Sequence, residues 1–441
     1  MDEQRDDEGR LVIKTQKEFF EHCVDENKNI DADNVRLRFN LYLSRKGFYE
    51  DYGEVSFKNA LFEKDVNFKN VTFLGDTEFL DTTFLEGADF TGATFSGLAS
   101  FVRAKFKGQA DFAEASFLGD ADFAEARFLS SAEFIKAIFK RADFFEAEFL
   151  GDREFLEGAF FIEATFKENA DFFRVIFSGH ADFKGAKFSS TSFYGTMFKR
   201  EAVFEESTFS DDVNFTSVTF LLANFSKAAF SKTADFLDTV FSRANFRQTE
   251  FNLLMLSGAI FSEYVQFKEA FIKNADRETF RIIKHEFLKI NNRIEALEYH
   301  KREMKAYWKE LFGTKMKKRP RKKWKISYLR FSKKINKKKI PEKVILLFNR
   351  ISTNYGLNWL QGVSFTLLAT VFFYSIFLIL SNSPDWSFEA YFRFLNPAHS
   401  YEFLNGFNPY DSAFIIDAFG RVFIGYGYYQ TIQAFRKYKR I

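Results

Sequence analysis

Gly119-Asp120-Ala121-Asp122-Phe123 decides the fold, because its Ala–polar–Phe ending recurs along nearly half of the chain. Ala142-Asp143-Phe144 repeats it, and Ala88, Ala93, Ala104, Ala110, Ala115, Ala126, Ala132 and Ala137 each stand two residues before a Phe. Outward from this stretch, the series runs from Phe57 through Phe62, Phe68 and Phe73 to Phe251: 37 Phe in 36 steps, 22 of five residues and 14 of six. A helix repeats every 3.6 residues and a flat strand every two, so neither accounts for the interval. A chain that turns a corner every five or six residues does. Each side then sends one small and one large apolar side chain inward, and Gly and Asp at the corners supply turn conformations that bulkier residues resist. Four such sides average about 21.6 residues, which predicts roughly nine coils stacked about 4.8 Å apart, a rod about 43 Å long.

Composition agrees with a repeat, since 65 of the 441 residues are Phe while only 5 are Pro and 5 are Met. Cys23 is the single cysteine, so no intrachain disulfide can form, which suits a reducing compartment. The charged first residues show no export signal. A net charge of +3 hides a separation along the chain. Residues 57–251 hold 21 Lys+Arg against 31 Asp+Glu, a charge of −10, whereas residues 315–343 hold 15 Lys+Arg against Glu342 alone, a charge of +14.

The predicted organisation follows from these shifts. Residues 1–56, with the amphipathic run Phe19-Phe20-Glu21-His22-Cys23-Val24, form an N-terminal cap; 57–251 form the solenoid; 252–273, with Phe261 and Phe267 as late echoes, form a C-terminal cap. A helical period begins after the capping Asn274 and breaks near Asn291-Asn292, giving a hairpin or one kinked helix over 274–312. A basic neck with an interfacial helix (344–351) occupies 313–358. Residues 359–380 carry no charge and are long enough to span a membrane. Residues 381–411 form an extracytoplasmic loop, 412–435 a second span, and 436–441 a basic cytosolic tail. The basic flanks and the acidic loop place both termini in the cytosol by the positive-inside rule.

Three groups of residues carry functional expectations. In the neck, Lys317, Lys318, Arg319, Arg321, Lys322, Lys323, Trp324 and Lys325 interleave cations with an aromatic residue. That pattern suits anionic headgroups, a reading its position beside the apolar segment favours over a nucleic-acid or nucleotide-oligomer ligand or a solvated linker. In the second span, Asp417 and Arg421 stand four apart on one helix face and, with Tyr428, are candidates for lining a pore; a purely structural pair or a partly inserted segment are the alternatives. Gly420, Gly425 and Gly427 permit close helix packing. Gly425-Tyr426-Gly427 has the letters of a potassium-channel filter, yet it lacks the preceding Thr and pore helix and has no span after it. The five His are scattered, no Cys/His spacing suits a metal and no Gly loop suits a phosphate, so no enzyme and no cofactor are expected.

Ala121-Asp122-Phe123 and Ala142-Asp143-Phe144 resemble the core of the pentapeptide-repeat family in its Phe-rich variant. The resemblance implies a right-handed quadrilateral β-solenoid, here followed by a helical linker and two transmembrane α-helices. The C-terminal stretch from Gly420 through Tyr426, Gln430 and Phe435 to Lys437, with Asn354-Tyr355-Gly356 and Tyr391-Phe392-Arg393-Phe394-Leu395-Asn396-Pro397, resembles bacterial membrane proteins that join such repeats to an ion-channel-like pair of helices. It implies a homo-oligomeric pore in the bacterial cytoplasmic membrane. The pore would be gated by its solenoid and act in antiphage defence, with a nucleotide or DNA oligomer as ligand. A non-conducting membrane scaffold whose acidic solenoid docks a cytosolic protein is the alternative. A DNA-mimic topoisomerase inhibitor, known among pentapeptide solenoids, is a weaker one.

Overall fold

The structure, a computed structural model, describes residues 5–43, 51–151, 158–312, 340–381, 387–400 and 411–439. The chain divides into two compact units, Met1–Thr279 and Phe280–Ile441.

The first unit is a β-solenoid in which every paired strand is parallel to the one a coil away. Ile30, Val55, Thr77, Ala99, Ala121, Ala142, Ala170, Thr191, Val213, Ala234, Leu254 and Ala275 are successive register partners. They make about 11 turns, rather than the nine expected from the Phe count. The extra turns use other apolar residues at the same inward positions: Ile30, Leu37, Leu41 and Tyr52 before Phe57, and Leu254, Leu256, Val265 and Ile272 after Phe251, all buried. The interior requires apolar bulk, and phenyl is only its commonest source.

Four Phe ladders, starting at Phe57, Phe62, Phe68 and Phe73, run along the interior. Within each, rings stack nearly parallel: Phe101 on Phe123 at 4.8 Å, Phe84 on Phe106 at 4.7 Å, Phe90 on Phe112 at 4.6 Å and Phe95 on Phe117 at 4.7 Å. Between ladders they meet edge-on, as Phe90 meets Phe101 at 89°. Both are geometries that the ring quadrupole favours.

The corners are of two kinds. Five-residue steps leave the first and third ladders through a tight turn, in which Ala126 N–H donates to Phe123 O at 3.0 Å and Ala137 N–H to Phe134 O at 3.1 Å. The second residue after the Phe is then left-handed, and it is more often Glu, Arg or Lys than Gly or Asp: Arg103, Glu114, Glu125 and Lys136 have φ of 54 to 60°. Such a conformation costs about 1–2 kcal/mol per residue, and the buried flanking side chains offset it. Among the described residues, six-residue steps leave only the second and fourth ladders. Gly119 sits at one of these, where a Cβ would overlap the carbonyl oxygen of Gly97 one coil below. Its role there is close backbone stacking.

One step in the Phe series is not a side of the solenoid. Phe149 stacks on Phe128 and Phe177, and Phe161 on Phe134 and Phe183, so a single corner separates Phe149 from Phe161. Phe155, counted in the series from its spacing, lies outside the described residues.

A helix closes the N-terminal end of the solenoid. Helix α1 (Gln16–Cys23), capped by Thr15, sets Phe19 parallel to Phe57 at 6.1 Å, so it extends the first ladder by one ring. At the other end Asp276, and not Asn274, caps the next helix by accepting from Thr279 N at 2.7 Å, and Thr279 Oγ1 accepts from Leu256 N at 2.9 Å.

The second unit is helical: α2 (Arg277–Lys289, which begins at the end of the first unit), α3 (Arg293–Phe312), α4 (Ile340–Thr353), α5 (Trp359–Ser381), α6 (Phe388–Leu395) and α7 (Asp411–Lys439). α2 and α3 form a hairpin, with Phe287 packed on Tyr299 at 5.4 Å and Lys284 Nζ 2.7 Å from Glu303. Burial alone would raise the Glu303 carboxyl, but His300 and Lys284 hold it down at about 2. Among the described helices, α5 over Trp359–Leu380 alone is long and apolar enough to cross a membrane. The second expected span, within α7, does not meet that measure.

Candidate functional site

α5 carries Gly362, Thr366 and Thr370 every four residues, so they form one stripe of small and hydroxyl side chains. α7 runs antiparallel along that stripe. A Cβ on Gly362 would stand 2.5 Å from Thr431 Oγ1, one on Gly427 would overlap Thr366 Oγ1, and one on Gly420 would press on Phe373 at 3.1 Å. The hydroxyls bond within their own helices, with Thr366 donating to Gly362 O at 2.9 Å, Thr370 to Thr366 O at 2.8 Å and Thr431 to Gly427 O at 2.8 Å. The hydroxyls in the seam between the two helices are thereby satisfied, as buried polar groups require. Gly425 has open space where a Cβ would stand, so the close-packing expectation does not extend to it.

At one end of the pair, α6 inserts Ala390 and Phe394 among Tyr374, Phe377, Leu378 and Ala413. The turn after it delivers His399, whose ring lies on Phe394 at 4.8 Å. His399 Nδ1 is 2.8 Å from Asn396 O and its Nε2 is 2.9 Å from Asp417 Oδ1, while Asp417 Oδ2 accepts from Arg421 Nε at 2.6 Å. The Asp417 carboxylate thus bridges a histidine and an arginine, with the His399 and Asp417 side chains only 3% and 2% exposed and Arg421 at 31%. Asp417 is turned into the protomer and not onto an open face. Arg421 and Tyr428 do reach the surface.

At the other end, Asn354, Tyr355 and Gly356 form the turn from α4 to α5 with three consecutive left-handed residues, φ 48, 65 and 77°. The strain of such a run is held by surrounding bonds. Gly356 N donates to Thr353 Oγ1 at 2.9 Å, and Gln361 Nε2 to Ile351 O at 2.7 Å. α7 joins the same knot, since Tyr426 donates to Asn349 Oδ1 at 2.8 Å and Thr353 Oγ1 to Gln430 Oε1 at 3.3 Å. Segments 77 residues apart in sequence therefore meet: Tyr426 and Gln430 of α7 hold Asn349 and Thr353, the last turns of α4 before Asn354-Tyr355-Gly356.

Sequence reasoning missed His399. It precedes Asp417 by 18 residues, a spacing with no periodic meaning, so only its neighbour in space identifies it. The neck residues Lys317, Lys318, Arg319, Arg321, Lys322, Lys323, Trp324 and Lys325 lie outside the described residues. Among the described residues, no group of His, Cys, Asp and Glu is arranged to hold a metal ion.

A family model described as Pentapeptide repeats (9 copies) matches residues 57–105, 101–148, 193–240 and 225–270. No curated protein and no solved structure matches the chain. The matched residues are those whose Ala and Phe alternate inward around the coil, and the β-solenoid of this chain belongs to the pentapeptide-repeat family.

Proposed function

We infer that the chain is the subunit of an oligomeric, ion-channel-like pore of the bacterial cytoplasmic membrane, with α5 and α7 as its membrane pair and the solenoid as its cytosolic sensor. The observation that carries this reading is the antiparallel α5–α7 pair, in which an apolar span is packed along a helix holding an Asp417–Arg421 pair. Ionisable groups at that depth face a bundle interior or a watery path. Two helices cannot enclose such a path alone, so several protomers surround it. With Asp417 buried on His399, the axis is lined by the side of α7 that carries Arg421 and Tyr428, and the Asp417–His399 contact orients Arg421 toward it. A gating ligand for the solenoid, a nucleotide or DNA oligomer in a defence setting, belongs to the same reading.

The test is ion flux from liposomes holding the full chain. Flux that Arg421→Ala alters in rate or selectivity is the expected result. Absence of flux with every candidate ligand overturns the pore, and flux indifferent to Arg421→Ala and Tyr428→Ala overturns the assignment of its lining.

A further inference from the structure

The solenoid carries an aromatic stack on its outside as well as inside. The residue just after each Phe of the first ladder stands at the corner, and Ala124, Phe145, Phe173, Tyr194 and Thr216 occupy this position in five consecutive coils. Their order is fixed by Glu125 N–H donating to Phe145 O, Glu146 N–H to Phe173 O, Arg174 N–H to Tyr194 O and Gly195 N–H to Thr216 O. The three rings are stacked, Phe145 on Phe173 at 5.3 Å and 3°, and Phe173 on Tyr194 at 5.3 Å and 9°. Phe145 is 38% and Tyr194 37% exposed. Four internal ladders already fill the core, so these rings are not needed for it.

The flanks of the stack are acidic. Two residues before each corner stand Asp122, Asp143 and Asp171, which are register partners in adjacent coils, and just after the corner stand Glu125 and Glu146. Burial, and then the neighbouring Asp143 charge, push Asp171 up to about 6. The corner already accommodates one guanidinium: Arg174 lies 5.1 Å from the Phe173 ring centre and 3.3 Å from Glu146. Below Phe145 the small Ala124 leaves the outer ring face uncovered, between Asp122 and Asp143 on one side and Glu125 and Glu146 on the other.

We propose that this stripe docks an extended, arginine-bearing segment of a partner protein, with one guanidinium seated on the outer face of Phe145 among these carboxylates. Arginine fits better than lysine because its planar, weakly hydrated cation stacks on a ring while bonding carboxylates at its edge. The −10 charge of residues 57–251 repels phosphate and so disfavours a nucleic acid here. The inference concerns the solenoid alone and is independent of whether the helices conduct.

The experiment uses the full chain in a neutral detergent and fluorescent nona-arginine and nona-lysine peptides, with binding followed by anisotropy at about 0.15 M salt. Nona-arginine should bind more tightly than nona-lysine. Phe145→Ser should weaken it about fivefold to tenfold and remove most of the preference, and Asp143→Asn should weaken it comparably. The Asp89→Asn, Asp111→Asn double variant removes two carboxylates from the third side and should change affinity less than about twofold. Circular dichroism checks that each variant keeps its β-structure. No binding of either peptide, no effect of Phe145→Ser, or an equal loss in the third-side variant would overturn the proposal, the last result showing charge attraction without a site.

Discussion

Replacing Asp171 by Asn should make the solenoid more stable at neutral pH, although it deletes a charged surface residue. Asp171 follows Asp143 in the adjacent coil, and its Oδ1 accepts from Phe173 N at 3.0 Å. Burial, with Asp143 second, raises its carboxyl from 3.8 to about 6. A folded-state value above the unfolded one means that the folded chain holds the proton more tightly. The stabilisation is complete below about pH 3.8 and is lost as pH rises through about 6. A shift of roughly two units corresponds to about 3 kcal/mol; screening at this partly exposed position leaves about 1–2 kcal/mol. Asparagine keeps the acceptor for Phe173 N, as Asn214 does at the equivalent place by accepting from Thr216 N at 2.9 Å. The Asp171→Asn gain should therefore be about 1–2 kcal/mol at pH 7.5 and close to nothing at pH 3.5. Urea unfolding of the full chain in detergent, followed by the β-sheet dichroism at both pH values, measures the difference. A loss of stability at pH 7.5, or a gain of equal size at both pH values, would refute the reasoning.

Other substitutions separate inside from outside and packed from open. Phe123→Ala removes a ring stacked on both sides within the core and should cost about 3–5 kcal/mol in the same unfolding assay, whereas Phe145→Ala on the exterior should cost under about 1 kcal/mol. Gly427→Val should force α5 and α7 apart and destabilise the pair by about 1–3 kcal/mol, read as a lowered melting temperature in detergent; Gly425→Ala, with open space before it, should be neutral. The buried Cys23 thiol, pushed up to about 12 by burial and then Asp31, should resist alkylation at pH 8 until the N-terminal coil opens in denaturant. Glu303, held at about 2, contributes stability above about pH 4.5 that is lost as pH falls through about 2, so Glu303→Gln should destabilise the hairpin at pH 7 and much less at pH 2 in a thermal melt.

Some of these features were legible without coordinates and some were not. Asp417 and Arg421 stand one helical turn apart, so their pairing could be read locally; that Asp417 also meets His399 could not, because the packing of α6 against α5 and α7 sets that distance. The glycines of α7 looked alike in sequence, yet Gly427 and Gly420 meet α5 while Gly425 faces open space, since helix rotation decides which glycine lies in the seam.

The amino-acid sequence by itself determined the solenoid: a five-to-six-residue period of large and small apolar residues has one way to bury them, and neighbouring coils repeat the same local contacts. Its ends and its exceptions were settled only in three dimensions. Leu256 and Ile272 stand at large-residue positions without being Phe, and Leu254 continues the column of Ala234. The tertiary structure alone also brought Asn349 and Thr353 to Tyr426 and Gln430, turned Asp417 inward onto His399, and gathered Phe145, Phe173 and Tyr194 into one outer stack. These contacts join residues 18 to 77 positions apart, where no helical or strand period relates them and only the packing of whole elements sets the distance.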